Sequence, residues 1–336
     1  MKILILKPSS LGDVIQALPV LRLLKLHYPQ SEIFWWIESS LTPLLKEDPD
    51  LAGIFPFERK RWSTPVYWNE LIGSIREMRR HRFDLVIDLQ GLARSGAFAW
   101  LANGCTLVGV EDRREGAFGF YDIRVPRPSR ETHAVDWYLD VLKHLGVPVD
   151  RPFVWMPPDP YVKAVVDMHR AGREPYILLN PGARWTNKRW PAEHFADLAR
   201  QLAADDSSLT FVVTGSKSEA ALAGVIESAV PGRVINLAGK TSLVEMVEWI
   251  RGCALMVTND TGPMHIAAAL GKTVLPLFGP TNPARTGPYG QMANVLQTSL
   301  PCVPCMKDRC SNSNYLECLV AISPEQVRER VHGLLS

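Results

Sequence analysis

No stretch of the 336 residues approaches the about 18 consecutive apolar residues of a membrane span. The start, MKILILKPSS, places only Ile3 to Leu6 before a lysine and a proline, too short a run for the core of a signal peptide. Charge of one sign is not in excess either. Lys and Arg number 37 against 35 Asp and Glu, a net charge of +2, so nothing global points to nucleic acid or an acidic polymer, and charge-based recognition has to be local. With 46% hydrophobic and 21% charged residues the chain is too apolar for disorder. At roughly 100–200 residues per domain its length predicts two domains. These features lead us to expect a soluble, cytoplasmic protein.

Segments of strand type alternate with segments of helix type throughout. Lys2 to Lys7, Glu32 to Ile37 and Phe83 to Leu89 read as buried strands, and VIQALPVLRLLKLH after the first has helical spacing. Eight prolines fall between Pro148 and Pro191, densest in MPPDP, which marks a linker. The pattern then restarts with YILLN, FVVTG, VINLAG, ALMVTND and VLPLFG. Two βαβ series predict an α/β protein of two doubly wound domains, whose ligands belong beyond the carboxyl ends of the strands.

Glycine is scarce where a dinucleotide fold needs it. The first strand is followed by KPSSLGD, with one glycine, so the G-x-G-x-x-G fingerprint is missing and an NAD-type dehydrogenase is disfavoured. Gly239-Lys240-Thr241 and Gly271-Lys272-Thr273 imitate the end of a phosphate-binding loop, but the first lacks the required earlier glycine at Val234, and the second fails alike. The one D-x-D, Asp48-Pro49-Asp50, lies in the polar loop KEDPDL and not after a hydrophobic strand, where a metal site is expected.

The segment TNDTGPMHIAAALGK carries more. Asp260 ends a strand, Pro263 suits a first helical turn and Gly271 a C-cap. Asp260, Thr261 and Gly262 thus stand at a helix N-terminus, which either binds an anion or is merely capped. His265, one turn in, either meets a ligand or packs. In NPGARWTNKRWP a loop after YILLN bears Arg184, Lys188 and Arg189, suited to a diphosphate or simply solvated. In the first turn, Asp13 is either a general base or, with Ser10, half of a capping box. Arg59, Lys60, Arg61, Arg76, Arg79, Arg80 and Arg82, interleaved with Trp62, Tyr67 and Trp68, are either an exposed helix face or a docking surface for an anionic acceptor at a membrane.

KILILKPSSLGDVIQALPVL, FDLVIDLQGL, NPGARWTNKRWP, VVTGSKSE, NLAGKTSL and TNDTGPMHIAAALGKTVLPLFGPTNPARTGPYG occur in this order, and together they resemble the family 9 glycosyltransferases, the ADP-heptose:lipopolysaccharide heptosyltransferases. KPSSLGDVIQALP, FDLVIDLQGL and GPTNPARTGPYG look more like heptosyltransferase I than II. The resemblance implies a GT-B fold: two Rossmann-like domains facing across a cleft, 1–155 for the acceptor and 174–322 for the nucleotide sugar, with a last helix in 323–336 that crosses back. It implies inverting transfer to the inner core (Kdo or the first heptose) of a Kdo-lipid A type acceptor, without a metal or cofactor beyond the donor ADP-heptose. Asp13 matches the base and Lys188 the cation on the departing diphosphate. Asp260, Thr261, Gly262 and His265 match the donor signature. Thr241 falls near the adenine, and Arg184 stands where some members carry threonine. Lys60 and Arg61 align with residues that meet the acidic acceptor. A weak peripheral contact with the cytoplasmic face of the inner membrane follows. Other readings are a transferase using another nucleotide sugar for a surface glycan, and a non-catalytic sugar-nucleotide binder.

Six cysteines remain, four of them (Cys302, Cys305, Cys310, Cys318) within 17 residues. They supply either a tetrahedral thiolate site for structural zinc or reduced thiols packing a loop.

Overall fold

The computed structural model describes residues 1–112 and 115–336. It divides into two units, Met1–Pro157 and Pro158–Ser336, each organised by a six-stranded parallel sheet.

In the N-terminal unit the strands are β1 (Lys2–Leu6), β2 (Glu32–Glu38), β3 (Gly53–Phe57), β4 (Leu85–Asp88), β5 (Thr106–Glu111) and β6 (Ile123–Pro126), in the order β3-β2-β1-β4-β5-β6. Helices α1 (Leu11–His27), α2 (Trp68–Arg80), α3 (Ala93–Ala102) and α4 (Ala134–His144) accompany them. The central strands read as unbroken apolar runs because a parallel sheet between helices is buried on both faces. Trp36 anchors one face, its ring centroid 4.4 Å from that of Phe57 and 4.6 Å from that of Phe98. The opposite face is covered in part by α1, buried continuously from Val14 to Leu24, and by α4 beside it.

The strands read from sequence in this unit are β1, β2 and β4; β3, β5 and β6 are additional. Each carries a residue that argues against a strand: Pro56 in β3 and Pro126 in β6, both tolerated at sheet edges, and Gly109 in β5. A Cβ at Gly109 would stand 2.4 Å from the Tyr121 ring, so glycine here admits an aromatic side chain against the strand.

The segment read as a linker contains helix α5 (Pro160–Arg170), started by Pro160 and capped by Asp159, whose carboxylate accepts from the amides of Tyr161 and Val162. It belongs to the C-terminal unit. There β7 (Tyr176–Asn180), β8 (Thr210–Val213), β9 (Val234–Asn236), β10 (Leu255–Asn259), β11 (Thr273–Phe278) and β12 (Leu296–Gln297) run in the order β12-β11-β10-β7-β8-β9. Helices α6 (Ala192–Asp205), α7 (Ala220–Ala229), α8 (Leu243–Gly252), α9 (Gly262–Ala269), the short α10 (Pro283–Thr286) and α11 (Glu317–Val320), and α12 (Pro324–Leu335) complete it.

The closing helix read from SPEQVRERVHGLL is α12, capped by Ser323. Its Val327 and Val331 are buried in one cluster with Trp190, Phe195 and Leu319, Arg328 meets Asp205 at 2.5 Å, and Gln201 donates to Glu325 at 2.8 Å. Asp205 and Gln201 belong to α6, so this face of α12 packs within the C-terminal unit.

Candidate functional site

The chain order of the C-terminal sheet reverses between β7 and β10, and this is where a doubly wound sheet opens a crevice beyond its strand ends. The residues there are polar, buried and tied together. Asn180, ending β7, donates from Nδ2 to Thr258 Oγ1 (3.3 Å) and accepts at Oδ1 from Thr214 Oγ1 (3.2 Å). Asn259, ending β10, accepts at Oδ1 from the Trp190 amide (2.9 Å) and donates to the Pro181 carbonyl (2.8 Å). The loop 181–190 is thereby fastened to the end of β10.

That fastening places Lys188 against Asp260. Lys188 Nζ lies 2.6 Å from Asp260 Oδ2, and Thr281 Oγ1, from the loop after β11, donates to the same oxygen at 2.6 Å. Asp260 and Thr281 are buried, with 6% and 5% of their surface exposed. The ammonium also stands 4.8 Å from the centre of the Trp185 ring. An ammonium carries three donors. With one on Asp260, the others are available to an anion while the carboxylate holds the side chain in place.

Thr261 is the N-cap residue of α9 and Pro263 lies in its first turn, with Gly271 in the left-handed conformation just past its end, as the spacing predicts. Asp260 is engaged by Lys188 and Thr281, and the backbone of Gly262 opens the helix, whose N-terminus carries partial positive charge. His265 is buried. Gly182, in the loop after β7, is a close-approach glycine: a Cβ there would meet the Glu219 carboxylate at 2.1 Å. Arg189 turns back through Nε to the Ala183 carbonyl (2.8 Å), while Arg184 is exposed. In Gly239-Lys240-Thr241, Gly239 is left-handed and Lys240 Nζ returns to the Asn236 carbonyl (3.0 Å). This is turn structure, as the missing glycine implies, with Thr241 half-buried before α8.

The N-terminal sheet reverses between β1 and β4. Here Asp13 sits in the first turn of α1, where its Oδ2 accepts from the Ser10 amide (2.8 Å) and the Ser10 hydroxyl (2.6 Å). The structural role weighed for Asp13 is therefore realised, and it holds a half-buried carboxylate in one orientation. Beneath it Lys7 is 3% exposed, with Nζ donating to the Leu89 carbonyl (2.9 Å) and standing 4.7 Å from the centre of the Tyr138 ring. Burial acts against its charge, but Tyr138, Asp13 and Asp88 outweigh it and hold the ammonium above the ordinary lysine value. Asp88, closing β4, accepts from the amides of Gln90 (2.8 Å) and Gly91 (3.3 Å) and from Tyr121 OH (2.8 Å). Burial nevertheless pushes its carboxyl above the usual range.

Lys60 and Arg61 are exposed; Arg61 pairs with Glu70 and lies 4.3 Å from the centre of the Tyr67 ring. Arg59, Arg76, Arg79, Arg80 and Arg82 are exposed as well. The D-x-D has another function: Arg22, 5% exposed, reaches Asp48 Oδ2 at 2.5 Å and Asp50 Oδ2 at 2.6 Å. Asp48 and Asp50 are thus the counter-ions of a buried arginine in the N-terminal core.

Lys7, Thr281, Asn259 and Asn187 escape sequence reading as candidates for the site. Lys7 had a signal, a lysine immediately after an otherwise apolar central strand. The others look like ordinary polar loop residues until strand order brings them together.

The chain matches the profile of glycosyltransferase family 9 (heptosyltransferase) over residues 72–316. It is 28% identical to lipopolysaccharide heptosyltransferase 1 of Pseudomonas aeruginosa, covering 100% of this chain and 98% of the relative. It is 29% identical to lipopolysaccharide heptosyltransferase 2 of Salmonella typhimurium, covering 100% and 99%. Overall identity thus favours neither type. Among solved structures, E. coli ADP-heptose lipopolysaccharide heptosyltransferase II superposes with a TM-score of 0.79 at 27% identity, covering 100% of this chain and 98% of the other. Two doubly wound sheets, motifs in family order and full-length similarity agree: the fold is GT-B, and the chain belongs to glycosyltransferase family 9, the heptosyltransferases.

Proposed function

We propose that this glycosyltransferase moves heptose from ADP-heptose to the lipopolysaccharide inner core, Kdo or the first heptose, with inversion at the anomeric carbon. The observation that carries the proposal is the Lys188–Asp260–Thr281 cluster at the reversal of the C-terminal sheet, with both contacts to Asp260 at 2.6 Å. It is a preorganised cation beside a helix N-terminus, which suits a diphosphate.

In this reading the acceptor hydroxyl gives its proton to Asp13 as its oxygen attacks the anomeric carbon. The bond from that carbon to the ADP oxygen breaks, and the departing diphosphate is stabilised by Lys188 and the N-terminus of α9. Fixed positive charge of this kind does the work that a divalent ion does in other transferases. Arg184, Thr241, Asp260, Thr261, Gly262 and His265 bind the donor, and the exposed Lys60 and Arg61 bind the acidic acceptor of Kdo-lipid A type. No helix among the described residues is long and apolar enough to cross a membrane. We place the enzyme at the cytoplasmic face of the inner membrane, held by weak peripheral contact through its basic segment.

Calorimetry of ADP-heptose against UDP- and GDP-sugars, with transfer assayed on a Kdo-containing acceptor, tests this. Selective binding of the ADP-sugar and heptose transfer are expected. Preference for another nucleotide overturns the donor, and tight binding without transfer leaves a sugar-nucleotide binder.

A further inference from the structure

The loop between β12 and α11 contains three cysteines, and α11 a fourth, that the transfer reaction does not use. Cys302, Cys305, Cys310 and Cys318 all line one cavity of about 520 Å³, and all four are free thiols. Their spacing, C-x2-C followed by four and then seven intervening residues, brings four soft ligands from a short chain segment, as structural tetrathiolate sites require. The Cys318 thiol is pushed up to about 11, first by burial and then by the neighbouring sulfurs of Cys310, Cys302 and Cys305.

The wall of this cavity reaches the candidate site. Asn187, adjacent in sequence to Lys188, lines it and is 2% exposed. Its Nδ2 donates to the Lys307 carbonyl (2.9 Å), while its Oδ1 has no hydrogen-bond partner. The Met306 amide donates to the Pro280 carbonyl (2.7 Å), one residue before Thr281. The cysteine loop thus braces the two segments that carry Lys188 and Thr281.

We propose that Cys302, Cys305, Cys310 and Cys318 bind one thiophilic divalent cation, of the zinc or ferrous class, which locks this loop behind the donor site without touching the reacting atoms. Among the described residues no three His, Cys, Asp or Glu side chains are already arranged to hold an ion, so binding draws the sulfurs inward. Residues 298–316, which carry three of the cysteines, form no helix or strand, and Cys318 lies in the first turn of α11. Each thiol releases its proton to solvent as its sulfur binds, so affinity rises with pH.

The test uses the full chain, purified without chelator from zinc-supplemented cells. Metal analysis is expected to give one zinc or iron per chain, unchanged in Cys105→Ser and lost in Cys310→Ser and Cys318→Ser. Should those variants fail to fold, the parent protein decides. Stripped and titrated with cobalt(II), it should develop sulfur-to-metal charge-transfer bands, and zinc should protect four thiols from a disulfide reagent. A parent chain that takes up no cobalt through sulfur and gains no thiol protection from zinc overturns the site. Equal ADP affinity of the stripped and loaded chains overturns the bracing. Metal content is read without donor or acceptor, so it stands or falls independently of the proposed transfer.

Discussion

Lys188 and Asp260 are 72 positions apart in the chain and 2.6 Å apart in the fold. The contact exists because β7 and β10 are neighbours in the sheet, which puts the loop after one beside the end of the other. It pre-orients a cation that would otherwise spend rotamer freedom on binding its ligand. Thr281 on the same carboxylate oxygen fixes the pair further.

Removing the cation should therefore cost both rate and stability. Lys188→Ala is expected to lower turnover by about 10²–10³-fold, the usual loss for one preorganised electrostatic donor. It also leaves Asp260 buried with Thr281 but without its counter-charge, which costs about 1–3 kcal/mol. Denaturant unfolding and single-turnover kinetics measure the two effects, and adding Asp260→Asn should recover part of the stability and none of the rate.

Asp13 and Ser10 share a capping box, so stability alone does not report on chemistry. Ser10→Ala should cost about 1 kcal/mol through the cap and leave most of the turnover. Asp13→Asn should melt close to Ser10→Ala but lose about 10²–10⁴-fold in turnover. Equal turnover in the two variants would assign Asp13 to the helix and not to the reaction.

Arg22 offers a test of the N-terminal core. Arg22→Met strips the counter-ion from Asp48 and Asp50, and since Arg22 and Asp48 are both 5% exposed in their side chains, a loss of about 3–5 kcal/mol is expected. Urea unfolding checks this. Turnover per folded molecule should not change, and a calcium or magnesium dependence appearing with the arginine intact would contradict the structural role.

The α12 contact predicts a pH effect. Hydrogen bonds from Arg328 and His332 hold the Asp205 carboxyl below its ordinary value. A depressed carboxyl contributes stability that is present above its unfolded value and lost as pH falls through its folded one. Asp205→Asn should thus melt below the parent at pH 6, with the gap closing in strong acid. A gap that is constant with pH would show that the pairing is not its cause.

Much of the fold was legible because it is written in short-range terms. Tyr176–Asn180 is a strand with the bounds read from sequence, and Pro263 stands in the first turn of a helix, where proline belongs. Gly109, Pro56 and Pro126 concealed three strands because each is acceptable only in a tertiary setting, a glycine under the Tyr121 ring and prolines on sheet edges. At the candidate site, Asp13, Lys188 and Asp260 were readable from their positions after strands. Lys7, Asn259 and Thr281 were not, since their partners lie in loops that only strand order makes neighbours.

Local runs of residues suffice for two series of βαβ units, for the capping of their helices and for the positions after strands where polar groups collect. All of these rest on interactions between residues a few places apart. The tertiary structure alone decided that Lys188 is paired with Asp260, that Asp48 and Asp50 serve Arg22, and that four cysteines line one cavity behind Asn187. These depend on which strands become neighbours and which loops they carry together, a choice made by burying both faces of each sheet and not by any local run of residues.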